Sequence, residues 1–298
     1  MTASGTRLVG VDLGGTNVKL AVLEAGRVVA TDQVATASEE GPDAVLDRVA
    51  ALAASAGPAA GVGVALPGLF DDEGRAVLLP NLHGEWTGRP LAEPLAAALD
   101  APVALVNDGH AFALAESTLG SGAGGRTVMA IVCGTGVGGG LVLDGRLYLG
   151  LRDRAGEFGH HTVAEDGPLC ECGNHGCLEL YAGARAIARA AGRPSFDETV
   201  AAARDGDGRA VAALARAGTL IGLAIANVAI FLAPDRIVVG GGVAAAGDLV
   251  LEPLEAELRR RARVAPLDDL AVVPAALGSF AGAVGAALFA GSRVGVAA

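Results

Sequence analysis

The stretch Gly10-Val11-Asp12-Leu13-Gly14-Gly15-Thr16 sets a glycine turn after an apolar run at residues 8–11, and alternating residues 18–23 follow it. This pattern predicts strand, tight turn and strand, with Glu24-Ala25-Gly26 turning the chain into a third strand at 27–30. The same grammar returns later. A strand-like run at 128–133 leads into Gly134-Thr135-Gly136-Val137-Gly138-Gly139-Gly140, then a strand at 141–143 and the hairpin Asp144-Gly145 before 146–149. Even the local wording agrees, since Val22-Leu23-Glu24-Ala25-Gly26-Arg27 resembles Val142-Leu143-Asp144-Gly145-Arg146. Such self-similarity predicts two related domains, placed at residues 1–117 and 118–298, with the last helix packing back on the first.

Between and after the two repeats, helical and strand patterns alternate. Residues 43–56, 91–99 and 111–119 read as helices, and 61–66 and 103–106 as strands. In the second half, 220–231 reads as a helix, 236–239 as a strand ending in Gly240-Gly241-Gly242, and 280–290 as the last helix. Residues 192–208 form the most loop-like interior segment, flanking a short helix. This is α/β grammar, and 298 residues suit two lobes with a cleft.

The formal net charge of −11 disfavours nucleic-acid backbones as partners. Arg259, Arg260, Arg261 and Arg263 are the one basic cluster, and they close a helical pattern where cations suit the helix dipole. Lys19 is the only lysine, read as compositional bias rather than function. The start of the chain lacks the apolar stretch of a signal peptide, and the longest apolar run, 220–233, is short for a membrane span and contains Asn227. A cytoplasmic protein with no membrane partner is expected.

Glycine turns between strands let the backbone approach a ligand closely and present N–H groups to phosphate oxygens. Gly134-x-Gly136-x-x-Gly139 matches the spacing of a dinucleotide fingerprint, but that motif opens a helix and here a strand follows. A P-loop needs Gly-Lys-Ser/Thr, which the only lysine cannot supply. What remains is a pair of glycine hairpins, either plain turns or a two-sided phosphate clamp. Asp12, at the end of the first strand, suits water-mediated Mg²⁺ binding. Gly240-Gly241-Gly242 is a place where backbone can pass beneath an adenine or ribose, or a simple strand-to-helix turn.

Asp108 follows the strand at 103–106 and precedes a helical run, so it projects from a strand's carboxyl end, where ligands bind in α/β folds. Asn107-Asp108 reads equally well as a helix cap. Glu157, in Ala155-Gly156-Glu157-Phe158-Gly159-His160, and Glu179 add carboxylates among glycines. Several acceptors at one site suit a polyol, because a site built to hydrogen-bond hydroxyls rejects analogues that lack them. Cys170-x-Cys172 followed by Cys177 places three thiols in a short knuckle, and four-coordinate zinc needs one more ligand. His160, His161 and His175 are all within sequence reach, and spacing does not choose among them. Cys133, inside a strand, reads as core.

Together these segments resemble the ROK family, which groups bacterial sugar kinases and sugar-responsive repressors. Asp12-Leu13-Gly14-Gly15-Thr16 and residues 134–140 resemble its two phosphate motifs, and Asn107-Asp108 its catalytic segment. Gly156-Glu157-Phe158-Gly159-His160 resembles its sugar-and-zinc segment, and the knuckle through Glu179 its zinc motif. The resemblance extends to Gly240-Gly241-Gly242 and to Leu277-Gly278-Ser279-Phe280-Ala281-Gly282.

That resemblance implies a two-domain actin-like ATPase fold, related to ribonuclease H, with a hairpin of each domain around the nucleotide phosphates. It implies ATP and Mg²⁺, with Asp12, Gly14, Gly15, Thr16, Gly134, Thr135, Gly136 and Gly240 to Gly242 toward the nucleotide. It further implies Asp108 as the base, with Asn81, Asn107, Glu157, His160 and Glu179 on the sugar, and His160 with Cys170, Cys172 and Cys177 on a structural Zn²⁺. The implied reaction is ATP-dependent phosphorylation of a hexose at its 6-hydroxyl, glucose first, by a homodimer or homotetramer.

Two segments depart from the family pattern. Gly109-His110 follows the catalytic pair where Ala-Asn or Gly-Asn is usual, and Asn81-Leu82-His83-Gly84-Glu85-Trp86 replaces Asn-Leu-Pro-Gly-Trp. An amino or modified sugar such as glucosamine, N-acetylmannosamine or kanosamine is therefore the alternative substrate, and polyphosphate the alternative donor. A sugar-sensing regulator without activity is the rival class, expected to need a DNA-binding domain for which the eleven residues before Asp12 leave no room.

Overall fold

The computed structural model describes residues 6–265 and 268–295, and the chain divides into two compact units. The first comprises Met1–Glu116, Leu149–Arg154 and Ser279–Ala298, the second Ser117–Tyr148 and Ala155–Gly278.

In the first unit, β1 (Arg7–Leu13), β2 (Asn17–Glu24) and β3 (Arg27–Ala35) form an antiparallel meander. β4 (Gly61–Leu66) and β5 (Val103–Asn107) add in parallel on the other side of β1, giving the order β3-β2-β1-β4-β5. Every residue of β4 is buried, as expected of a parallel strand covered on both faces. Helices α1 (Pro42–Ser55), α2 (Ala92–Leu99) and α3 (Asp108–Thr118) complete the α/β alternation. The closing helix Ala281–Val294 belongs to this unit and packs along β1 and β4. Its approach depends on glycine: a Cβ on Gly10 or Gly63 would be driven into the carbonyl oxygens of Ala283 and Ala286. The strands predicted at 8–11 and 61–66 thus carry glycines that serve a helix far away in sequence.

The second unit repeats the plan. β6 (Thr127–Cys133), β7 (Val137–Leu143) and β8 (Arg146–Tyr148) form the meander, and β9 (Arg236–Gly240) and β10 (Ala271–Pro274) add in parallel, giving β8-β7-β6-β9-β10. Equivalent hairpins close with equivalent backbone. Ala25 and Gly26 have φ of 48° and 73°, and Asp144 and Gly145 have 49° and 73°. Two successive positive φ values define the tight turn whose twist suits adjacent antiparallel strands.

Helices α4 (Ala184–Ala191), α5 (Phe196–Arg204), α6 (Gly208–Leu232) and α7 (Asp248–Arg261) cover this sheet. One of them fills the short helix expected within 192–208, and one starts earlier than the sequence reading placed it. The segment 192–208 holds a nine-residue helix, α5, whose cap is Ser195 accepting from the Glu198 amide at 3.2 Å. α6 starts well before residue 220, because Asp207 caps it by accepting from the Ala210 amide at 2.8 Å. At 25 residues α6 is long and apolar enough to cross a membrane, yet its Leu214, Ile221 and Ile225 are fully buried in the core of this unit. The Arg cluster ends α7, where Arg260 and Arg261 pair with Glu257, as the dipole argument anticipates.

Candidate active site

The first glycine hairpin joins β1 to β2. Gly14 N–H donates to the Asn17 carbonyl at 3.0 Å, while Thr36 donates through Oγ1 to the Gly14 carbonyl at 2.6 Å and through its amide to the Thr16 carbonyl at 2.8 Å. Thr36, fully buried, fixes the turn from behind and leaves Gly15 and Thr16 exposed. Asn81 lies against this turn in the left-handed conformation, φ 65°, which asparagine tolerates better than most residues. A Cβ at Gly15 would come 3.1 Å from the Asn81 carbonyl.

Asp12 pairs across the hairpin with Lys19, whose Nζ donates to the Ser279 carbonyl at 2.9 Å. Its carboxylate stands at the first turn of the closing helix, where a Cβ on Gly282 would be 2.5 Å from Oδ2. Burial pushes the Asp12 carboxyl up to about 6, with the Lys19 ammonium pulling the other way. A buried acid with so little compensating charge is a favourable place for a divalent cation, so the residue fits the Mg²⁺ role. Lys19, set aside in the sequence as compositional, is its charged partner.

At the end of β5 the structure divides two roles that the sequence left together. Asn107 is the cap: its Oδ1 accepts from the amides of Gly109 at 2.9 Å and His110 at 3.3 Å, and its Nδ2 donates to the Gly68 carbonyl at 3.2 Å. Asp108 is the first residue of α3, with its Oδ1 accepting from the Gly109 amide at 2.8 Å. His110 is buried within α3, 1% exposed.

The second glycine hairpin, between β6 and β7, is closed by Gly134 N–H donating to the Gly136 carbonyl at 2.8 Å. Glu179 reaches it: the Val137 amide donates to Glu179 Oε2 at 2.9 Å. A Cβ on Gly136 would collide with that carboxylate oxygen. Behind the hairpin, a Cβ on Gly159 would strike the Val137 carbonyl, and one on Gly139 the Phe158 ring and the Ala130 carbonyl. The segment that carries Glu157 and His160 is therefore packed on β7, with Glu157 exposed.

His160, Cys170, Cys172 and Cys177 converge, with one ligand atom from each and all within 4.8 Å of one another. Cys170 Sγ is 3.7 Å from His160 Nδ1, and Cys172 Sγ is 3.6 Å from Cys177 Sγ. With Zn–S near 2.3 Å, a tetrahedral edge is about 3.6–3.8 Å, so the four residues fit structural zinc. Burial and the crowding of neighbouring thiols push Cys177 up to about 12. The other two histidines are employed elsewhere. His175 Nδ1 is 3.2 Å from the Gly167 carbonyl, and His161 Nε2 is 3.3 Å from Asn227 Nδ2.

β9 ends in Gly240, and Gly241 and Gly242 are exposed. Gly241 has φ 83° and lies so close to the Cys133 carbonyl that no Cβ would fit. Gly242 faces open space on that side, with nothing within 4 Å of an added Cβ. Thr36, Lys19 and Asn227 escaped the sequence reading as site residues. The only visible signals were the solitary lysine and one amide in an apolar helix.

Two glycine hairpins on matching sheets, a carboxylate at a strand end, and a Cys₃His knuckle tied to one hairpin fit the class of actin-like ATPase folds. The ROK family profile matches residues 8–293, and the chain belongs to the ROK family. A glucokinase of Streptomyces coelicolor is 34% identical over 94% of this chain and 96% of its own length. The structure of a ROK hexokinase from Thermus thermophilus superposes with a TM-score of 0.86 at 33% identity, covering 97% of this chain and 99% of that one. A ROK glucokinase from Streptomyces griseus, solved with glucose and AMPPNP, gives a TM-score of 0.83 at 33% identity, covering 96% and 99%.

Proposed function

We propose that the chain is an ATP-dependent hexose 6-kinase with glucose as its substrate. The observation that carries this reading is the division of labour at the end of β5. Asn107 holds the amides of Gly109 and His110, while Asp108, whose Oδ1 accepts from the Gly109 amide, is the first residue of α3 at the carboxyl end of β5, which supports its reading as the base. The similarity to glucokinases at 34% identity over nearly the whole chain supports it.

In the reaction Asp108 orients the O6 hydroxyl and takes its proton as O6 attacks the γ-phosphorus in line and ADP leaves. Positioning and charge stabilisation supply most of the rate in such transfers. The amides of the two glycine turns, Gly14 to Thr16 and Gly134 to Gly136, hold phosphate oxygens, and Gly240 to Gly242 lie beneath the nucleoside. Asp12, through water, would hold Mg²⁺, which neutralises phosphate charge when bound. Asn81, Asn107, Glu157, His160 and Glu179 bind sugar hydroxyls, and zinc on His160, Cys170, Cys172 and Cys177 would brace two of them.

Sugar-dependent ADP release tests this reading. Purified chain is assayed with ATP over glucose, mannose, fructose, glucosamine, N-acetylmannosamine and kanosamine, and then with polyphosphate in place of ATP. Glucose with ATP is expected to give the highest kcat/KM. An amino sugar in first place would reassign the substrate and implicate His83 and Glu85, which stand exposed after Asn81. Silence across the panel would sink the kinase reading.

A further inference from the structure

Asn227 lies in an otherwise apolar run of α6, with Ala226 and Ala229 buried beside it. An amide in such a place is disfavoured unless its hydrogen bonds are satisfied. Its Nδ2 lies 3.3 Å from Nε2 of His161. For the amide to donate, His161 must be neutral with its proton on Nδ1. Asn227 therefore sets the tautomer and ring orientation of His161.

His161 stands next to the metal-binding His160 and is itself part of a small ladder. Its carbonyl accepts from the Leu178 amide at 2.9 Å, Thr162 bridges to Cys177, and Val163 N–H donates to the Gly176 carbonyl at 2.9 Å. Leu178 immediately precedes Glu179, which accepts from the Val137 amide of the second hairpin. A continuous set of bonds thus leads from the middle of α6 through His161 to Cys177, Glu179 and the hairpin, all within one unit.

We infer that Asn227 and His161 form a positioning pair: α6, through this one side-chain bond, orients the segment that presents His160 and Glu179 to the sugar. Neither residue touches substrate. Both act through the backbone of residues 160–161 and 177–179. This inference rests on the proposed hexose-kinase reading for its kinetic consequence, while its effect on metal geometry does not depend on that reading.

The test uses the full chain and the variants Asn227→Ala, His161→Ala, the double variant, and His161→Gln, in which a side-chain oxygen can still accept from Asn227. Zinc is replaced by Co²⁺, whose thiolate charge-transfer and d–d bands report ligand geometry without any substrate. Each single alanine variant is expected to shift the Co²⁺ bands and to raise the sugar KM about tenfold with the ATP KM within about twofold, and the double variant to be no worse than either. His161→Gln is expected to restore most of the sugar KM. Unchanged Co²⁺ bands with an unchanged sugar KM would overturn the pairing. So would equal losses for sugar and ATP that His161→Gln fails to relieve, since that is the mark of general destabilisation. Should Asn227→Ala fail to fold, His161→Ala and His161→Gln carry the same comparison. If the alanine variants shift the Co²⁺ bands as expected but wild-type chain phosphorylates no sugar, the kinase reading fails and the pairing stands.

Discussion

Glu179 Oε2 accepts a hydrogen bond from the Val137 amide at 2.9 Å, joining the end of the cysteine knuckle to the second glycine hairpin. Under the proposed function this one carboxylate would bind the sugar and also hold a phosphate turn, and so couple the two substrates. Glu179→Gln is therefore expected to raise the KM for glucose about tenfold or more and that for ATP by a smaller factor, through loss of a charge-assisted bond. Gly136→Ala, whose methyl would displace the same carboxylate, is expected to show the same dual signature. Initial rates over a grid of both substrates check both, and a change in glucose KM alone would disconnect Glu179 from the hairpin.

Asp108→Asn keeps shape and removes the proton acceptor. If Asp108 is the proposed base, the substitution is expected to lower kcat about 10²-fold or more, with glucose affinity within a few-fold. Turnover and calorimetric glucose titration measure the two quantities separately, and near-normal turnover would remove Asp108 from the chemistry.

The knuckle makes a metal prediction. Cys172 is the exposed thiol of the group, so Cys172→Ser is expected to fold around a weakened site. Zinc retention after dialysis against a chelator should fall, glucose KM should rise, and the melting temperature should drop by several degrees. Full zinc retention by this variant would show that the cysteine is dispensable.

Glu257 supplies a pH prediction. Hydrogen bonds from Arg260, with Arg261 adding to them, hold its carboxyl down to about 2 against the opposing effect of burial. A folded value below the unfolded one contributes stability above about 4.5 that is lost as pH falls from there toward 2. Both guanidiniums are partly exposed, so the contribution is about 1–2 kcal/mol rather than the full linkage value. Glu257→Gln should be less stable than wild type by that amount in urea melts at pH 7, and the gap should narrow as pH falls below about 4.5 toward 2.

Gly63→Ala tests the seat of the closing helix. A methyl there would be forced into the Ala286 carbonyl, and neither backbone can yield without moving the helix off β4. A loss of about 3 kcal/mol or more is expected from overpacking against main chain, read by thermal or urea unfolding. Gly242→Ala, which meets nothing within 4 Å, is the control for stability.

Much of this protein can be read along the chain. Period-two alternation around Gly14-Gly15 and Gly134 to Gly136, the paired turns at Ala25-Gly26 and Asp144-Gly145, and the spacing of Cys170, Cys172 and Cys177 are local signals. They suffice for two matching α/β meanders and a zinc knuckle, because turn chemistry and strand period act over a few residues. The start of α6 at Gly208 was less visible, since its cap is a single polar residue amid other polar residues.

Other features exist only where distant segments meet. Three histidines were equal candidates along the chain, and folding brought His160 to the thiols while Asn227 claimed His161 and the Gly167 carbonyl claimed His175. Asn107-Asp108 read along the chain as a cap pair or as a strand-end acid with its neighbour, until the Gly68 carbonyl and the amides of α3 engaged the asparagine. Glu179 became a partner of Val137, and Gly10 and Gly63 became the floor beneath the closing helix. Hydrogen bonds and close packing reach only a few ångströms, so a partner far along the chain is chosen by where the fold returns it and not by its spacing in sequence.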